Sequence, residues 1–333
     1  GWRFATDDLR VVAPDGRGGG RARLFVPLDG SGPRLVLDLE LRDLDARGVT
    51  KYLPTRRFAP VAVAWLDGAF LAGRVTEARL EYAGAMRRFP FRDGGGLFRV
   101  TAPFEGVRLH YQDGWRDVED LAGRAVFENT GLSATLTRGR LAGLQVVEGT
   151  VAMPDFRDAE LAIRGRVRGD VRDALAYLQA APVGPRLGSF FMDLRGRGPF
   201  ESTLAFDFPL RRFAEREVVV ETRLAGASAR TPLLVEEVRG LTGTFVLRNH
   251  DLEIPGNGVT GTLYGGPLRL RARTVEAPRG QRVLVAEGEG RLLGARLQPQ
   301  LGIARGTWLD GAADWRLQAR WPRIEWRPAP APL

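Results

Sequence analysis

The residues able to do acid–base, nucleophilic or metal chemistry are few, and their spacing does not suit it. Three pairs of adjacent carboxylates, Asp7-Asp8, Glu119-Asp120 and Glu236-Glu237, are the first candidates for a general acid and base. Neighbouring side chains on a strand point to opposite faces, so none of these pairs can act together on one substrate. Solvated surface charge is the simpler reading. Histidine occurs only at His110 and His250, and neither stands in the context of a catalytic triad. Ser189, Ser202 and Ser228 lie outside any Gly-x-Ser-x-Gly elbow. His110, among Val107, Leu109 and Tyr111, is expected at an exposed strand position. The run Gly16-Arg17-Gly18-Gly19-Gly20 has the glycine content of a phosphate loop. It lacks the Gly-Lys-Ser/Thr ending and a following helix, so a hairpin turn is expected. With no cysteine in the chain and no EF-hand spacing of oxygen ligands, no metal and no cofactor are expected. The chain does not read as an enzyme.

What must position side chains here is a series of strands. In Arg34–Arg42, Leu35, Leu37, Leu39 and Leu41 fall on one face and Asp38, Glu40 and Arg42 on the other. Leu268, Leu270 and Ala272 alternate in the same way with Arg269, Arg271 and Arg273. A period of two marks an antiparallel sheet with one buried and one wet face. Glycine- and asparagine-bearing turns such as Asp113-Gly114, Asn129-Thr130-Gly131 and Gly265-Gly266-Pro267 punctuate the chain at the rhythm of hairpins. Helical patterns are short: Val171 to Leu178 behind an Asp170 cap, Ala62 to Ala72, and a turn or two over Ala46 to Leu53.

A loose internal repeat links two regions. Leu121-Ala-Gly-Arg-Ala-Val-Phe127 is followed by Asn129 and a returning strand; Leu241-Thr-Gly-Thr-Phe-Val-Leu247 is followed by Asn249 and another. Repetition of a hairpin unit suits an elongated sheet grown by accretion, and equally a compact sandwich. The 333 residues are 44% hydrophobic, enough for a core. The net charge is +9, and Lys51 is the only lysine. The arginines are dispersed over outward strand positions, unlike the gathered, aromatic-interleaved charge of nucleic-acid binders, so no nucleic-acid partner is expected. No stretch approaches the ~20 apolar residues of a membrane-spanning helix. Trp315, Leu317, Ala319 and Trp321 share one parity, which favours packing on a sheet face over a membrane anchor; Trp308 and Trp326 lie nearby.

A family resemblance enters at Lys51-Tyr-Leu-Pro54. It continues through Trp65-Leu-Asp-Gly-Ala69, Ala72-Gly-Arg-Val75, Phe89-Pro-Phe-Arg92, Gly96-Leu-Phe98 and Tyr111-Gln-Asp-Gly-Trp115 to Leu121–Phe127 with Asn129. This ordered series, over roughly residues 46 to 135, resembles the AsmA-like proteins of the YhdP type. Leu204–Leu210 resembles a further strand of that family. The resemblance implies a chorein-like, bridge-type lipid carrier of the Gram-negative envelope. Such a protein crosses the periplasm from an anchor in the inner membrane and moves phospholipid toward the outer membrane.

The fold class expected is mainly β, an elongated, curved antiparallel sheet forming an apolar groove, with a few short helices. Residues 1–326 form one groove segment of a longer protein, with a candidate subdivision near 170–200, and 327–333 form a proline-rich tail. Leu35, Leu37, Leu39, Leu161, Ile163, Leu204, Phe206, Leu268 and Leu270 are expected to line the groove. Phospholipids are the expected ligands. The inner-membrane anchor is expected from the missing part of the chain, and a protein of the outer membrane or periplasm is a further expected partner. A self-packed β module serving structure or protein interaction is the alternative.

Overall fold

The computed structural model describes residues 1–13, 16–52, 60–187, 189–232, 234–278, 281–297 and 311–322. Leu53-Pro54, Trp308, Trp326 and the 327–333 tail lie outside the described residues.

Strands dominate, as the alternation requires. The first nine are β1 (Trp2–Ala13), β2 (Gly16–Val26), β3 (Arg34–Asp45), β4 (Phe70–Ala85), β5 (Gly96–Leu109), β6 (Val118–Glu128), β7 (Gly131–Leu141), β8 (Leu144–Met153) and β9 (Glu160–Asp170). After a helical crossover come β10 (Arg195–Arg197), β11 (Pro199–Pro209), β12 (Glu217–Arg230), β13 (Val238–Arg248), β14 (Asp251–Leu263), β15 (Gly266–Ala277), β16 (Gln281–Leu293) and β17 (Ala312–Pro322). These seventeen strands form a single antiparallel sheet. From β1 to β9 each strand pairs with the next in the chain. β9 then pairs with β11 from Asp170↔Pro199 to Glu160↔Pro209, so the sheet runs unbroken through the 170–200 region. The meander resumes to β17, with short β10 lying against the far end of β12. At about 4.8 Å per strand, the sheet extends roughly 70 Å along its hydrogen-bonding direction. The expected fold class, mainly β with few short helices, is the one found.

Tight turns keep the strands in register. Ala142-Gly143 and Tyr264-Gly265 have positive φ at both residues, the backbone whose twist matches a hairpin. The repeated hairpin is real in structure. Asn129 (φ 49°) and Asn249 (φ 52°) both take left-handed backbone at the first turn position. The Asn129 N–H donates to Phe98 O, and its side-chain oxygen accepts from Phe98 N at 2.9 Å. Asn249 makes the same pair of bonds with Val218, at 2.7 and 3.0 Å. Each asparagine thus clamps its hairpin to the strand preceding it.

Register shifts interrupt the ladders of β4 to β7, the β8–β9 pair and β12 to β15. An extra residue in one strand bends it and sharpens its twist. Most of these irregularities lie toward the helix-bearing ends of their strands.

The helices occupy connections at one set of strand ends: α1 (Pro60–Ala69), α2 (Val171–Ala180), α3 (Ser189–Asp193) and α4 (Gly294–Leu297). Asp170 caps α2 by accepting from Arg172 N at 2.8 Å, as its type and position predict. α2 is tied down where the Tyr177 and Tyr111 hydroxyls meet at 2.5 Å. The α1 helix ends three residues earlier than its apolar pattern suggests, because Phe70 and Ala72 are already paired with Leu109 and Arg108 in the sheet. The Ala46 segment is a 3₁₀ helix over Ala46–Tyr52.

Candidate functional site

Residues opposite one another in an antiparallel pair share a face, so the registers trace one face across the whole sheet. Starting from Leu37, the chain of partners runs to Ala22 on one side and to Tyr82 and Phe98 on the other. Further along, Val151 stands opposite Ile163, Ile163 opposite Phe206, and Phe206 opposite Val218. Gly243–Leu224, Val259–Leu270 and Gly288–Leu317 carry the face to β17. No Asp, Glu, Lys or Arg occupies this face at these registered positions. The polar exceptions include Ser202 and Thr222, which bond to each other at 2.7 Å. At the two edges of the sheet the face is bare: Trp2 is 67% exposed, Phe4 57% and Leu317 61%.

All nine residues predicted to line an apolar surface lie on this one face. Leu35, Leu37 and Leu39 stand opposite Leu24, Ala22 and Gly20. Leu161, Ile163, Leu204 and Phe206 come together at the β9–β11 pair, opposite Phe208, Phe206, Gly165 and Ile163. Leu268 and Leu270 face Gly261 and Val259. Their depth differs. Leu268 is buried in a cluster with Ala227, Val238, Leu241, Val259 and Leu263, whereas the other eight are half-buried.

The bulges mark the division. Toward the helix-bearing strand ends, Leu41, Leu44, Val107, Leu121, Leu144, Val167, Phe200 and Leu241 are buried in self-packed clusters. On the other side of the bulges, Leu35, Leu37, Val100, Val151, Ile163, Phe206, Val220 and Leu247 form a half-buried apolar strip. Gly149 and Gly165, opposite one another, lower the floor of the sheet between Leu136 and Leu204. Aromatic side chains bound the strip at its outer edge. Phe91, 1% exposed, packs with Phe98 and Phe127, and Phe156 stacks on Phe127 at 5.4 Å. These aromatics are not legible as a set in the sequence, because they come from two strands and two separate connections.

The opposite face is a lattice of cross-strand ion pairs. Asp38 accepts from Arg21 and Arg79, both at 3.0 Å, and Glu289 lies within 3.7 Å of Arg269, Arg271 and Arg316. Arg164 binds Asp207 at 2.7 Å. Exposed pairs of this kind contribute about 0–1 kcal/mol each, so the lattice specifies register and wetting more than stability. Arg269, Arg271 and Arg273 face solvent, as the alternation predicts.

His110 departs from its expected place on a strand. It lies just past β5, its Nδ1 2.8 Å from Asp117 and its Nε2 3.0 Å from Asp113. The hydrogen bonds to Asp113 and Asp117 raise its pKa above the ordinary 6.5. Asp117 is correspondingly lowered, by the bond from His110 and then by Arg108. Burial raises Tyr111 and Tyr177, so both hydroxyls stay protonated. Among the described residues no group of three or more His, Asp or Glu could hold a metal ion, and no helix is long and apolar enough to cross a membrane.

An open antiparallel meander, with one face free of charge at the registered positions and the other laced with ion pairs, defines a class of protein: an extended β-scaffold. The chain belongs to the YhdP protein family, whose model matches residues 1–323. Comparison with curated proteins and with solved structures gave no match. At the level of the family, membership points to lipid transport in the cell envelope.

Proposed function

We propose that this chain is a segment of an envelope-spanning protein and shields phospholipid acyl chains against its apolar face during passage between the inner and outer membranes. The observation that carries this reading is the unbroken face that crosses the registered strands without a charged side chain. Half of it packs on itself; the half-buried strip has apolar surface left to cover. Each methylene withdrawn from water contributes about 0.8 kcal/mol, so a diacyl lipid lying along the strip is held firmly. Among the described residues no charged side chain on the strip floor fixes a tail in one place, so tails can slide in the β1-to-β17 direction. The segment acts in the periplasm, and other parts of the full-length protein supply the inner-membrane anchor. No residue serves as a catalyst.

The test is lipid extraction and mass spectrometry on the chain purified without detergent, beside a soluble control protein. Near-stoichiometric or greater phospholipid is expected. A well-folded, lipid-free protein would replace this reading with that of a self-packed β module.

A further inference from the structure

At the strand ends away from the helices, three connections fold back over the apolar face: residues 86–95, 154–159 and 210–216. Each lays phenylalanine on it. Phe91 sits on Gly84 and Gly96, where an added Cβ would lie 2.6 and 2.4 Å from its ring. Phe156 stacks on Phe127, and Phe213 stacks on Phe208 at 5.6 Å. The connections also join one another. Arg92 binds Asp155 at 3.1 Å, Leu210 N donates to Ala159 O at 3.0 Å, and Arg212 binds Glu160 at 3.2 Å. The result is a continuous border running from β4 to β12, apolar beneath, with an excess of arginine in its first and third connections and Asp155 and Asp158 beside Arg157 in the middle one.

Two of the three connections carry the same four-residue pattern, Met86-Arg87-Arg88-Phe89 and Leu210-Arg211-Arg212-Phe213. The parallel extends to each side chain's environment. The phenylalanine joins the aromatic packing. The second arginine is neutralised within its own loop, Arg88 by Asp93 and Arg212 by Glu215. The first arginine has no carboxylate partner: Arg87 donates to Gly30 O at 2.8 Å, and Arg211 makes no polar contact among the described residues. The preceding apolar residue is left in solvent, Met86 46% and Leu210 44% exposed. Between them, Arg157 is likewise exposed; its guanidinium makes no close ion pair, though its charge is felt by the neighbouring Asp155. Across the sheet, the turn at the far end of β5 presents the fully exposed Asp113 instead, with the half-buried Asp117 beside it.

An exposed apolar side chain beside an uncompensated guanidinium, bordering an apolar strip, matches the boundary between acyl chain and phosphate in a phospholipid. Guanidinium is the side chain best shaped for phosphate oxygens. We propose that Arg87, Arg157 and Arg211 form a headgroup rail. They hold the phosphate of lipids whose tails lie on the strip, with Met86 and Leu210 against the first carbons of the chains. The inference rests on the lipid reading above and adds an orientation to it: phosphates travel along this one border.

The experiment loads the lipid-free full chain from vesicles with acyl-matched fluorescent phosphatidylglycerol or diacylglycerol. It compares the wild type with R87Q/R157Q/R211Q and with R124Q/R140Q/R223Q, which removes equal charge from the opposite face. The wild type should prefer phosphatidylglycerol. The rail variant should lose roughly fivefold or more of that preference, the size expected for one arginine–headgroup contact, while diacylglycerol loading and the melting curve stay unchanged. The opposite-face variant should behave as wild type. An unchanged ratio in the rail variant, or an equal loss in the control, overturns the rail while leaving lipid carriage standing. Failure of the wild type to load either lipid overturns both. Inorganic phosphate titrated alone distinguishes the source: saturable binding with no effect of the variants on lipid preference would make this a free-phosphate site and overturn the headgroup assignment.

Discussion

Ser202 and Thr222 are register partners on β11 and β12, each 6% exposed, with their hydroxyl oxygens 2.7 Å apart. On a predominantly apolar face, each is the polar group that satisfies the other. Ser202→Ala alone leaves the Thr222 hydroxyl buried without this partner and should cost about 1–3 kcal/mol. Ser202→Ala with Thr222→Val removes both polar groups and should be nearly neutral. Urea denaturation of the two variants checks this; equal destabilisation would mean that the pair is not coupled.

The two strips of the apolar face should respond differently to truncation. Leu268 is buried in a packed cluster, so Leu268→Ala should cost about 2–5 kcal/mol. Leu37→Asp with Leu39→Asp falls on half-buried positions and should leave the fold largely intact while lowering lipid retention. Thermal melts and bound-lipid analysis on the same samples separate the outcomes. Unfolding of the Leu37/Leu39 variant would make that strip ordinary core.

The asparagine clamps should stabilise both of their hairpins. Alanine in left-handed backbone costs roughly 1–2 kcal/mol, and the lost side-chain bond adds about 0.5–1.5. Asn129→Ala and Asn249→Ala should both destabilise, with glycine recovering the backbone part. The half-buried Asn129 should lose more than the exposed Asn249. Glycine no better than alanine would show that the side-chain bond, and not the backbone, is what matters.

His110 gives the β5–β6 turn a pH dependence of defined sign. Its folded pKa lies above 6.5, raised by the bonds to Asp113 and Asp117. The stabilisation is therefore fully present below the unfolded pKa and is lost as pH rises through the folded one. Imidazole resonances followed by NMR should titrate above 6.5 in the wild type and fall toward that value in Asp113→Asn/Asp117→Asn. A wild-type midpoint at or below 6.5 would contradict the geometry.

Much of the architecture is legible in the sequence because period two is a local property. The faces of β3 and β15, the Asp170 cap and the repeated asparagine hairpin all follow from residues within one or two strands. Depth is not local. Leu268 and Leu37 have the same alternation, yet one is buried and the other half-buried, because bulges in neighbouring strands decide which part of the face packs on itself. The border is similarly hidden. Phe91, Phe156 and Phe213 belong to three loops far apart in the chain until the meander brings those loops to one side. His110 reads as a strand residue because Val107 and Leu109 alternate up to it; the strand ends at Leu109, and two aspartates take the imidazole.

The neighbour-to-neighbour pairing of the strands has an architectural consequence. Because nearly every strand leans only on those beside it, adding or deleting a whole hairpin leaves the remaining contacts and the identity of both faces intact. Each such step changes the reach of the sheet by roughly 10 Å. Span is thus an independently adjustable quantity, free to be matched to a distance set by something outside the protein.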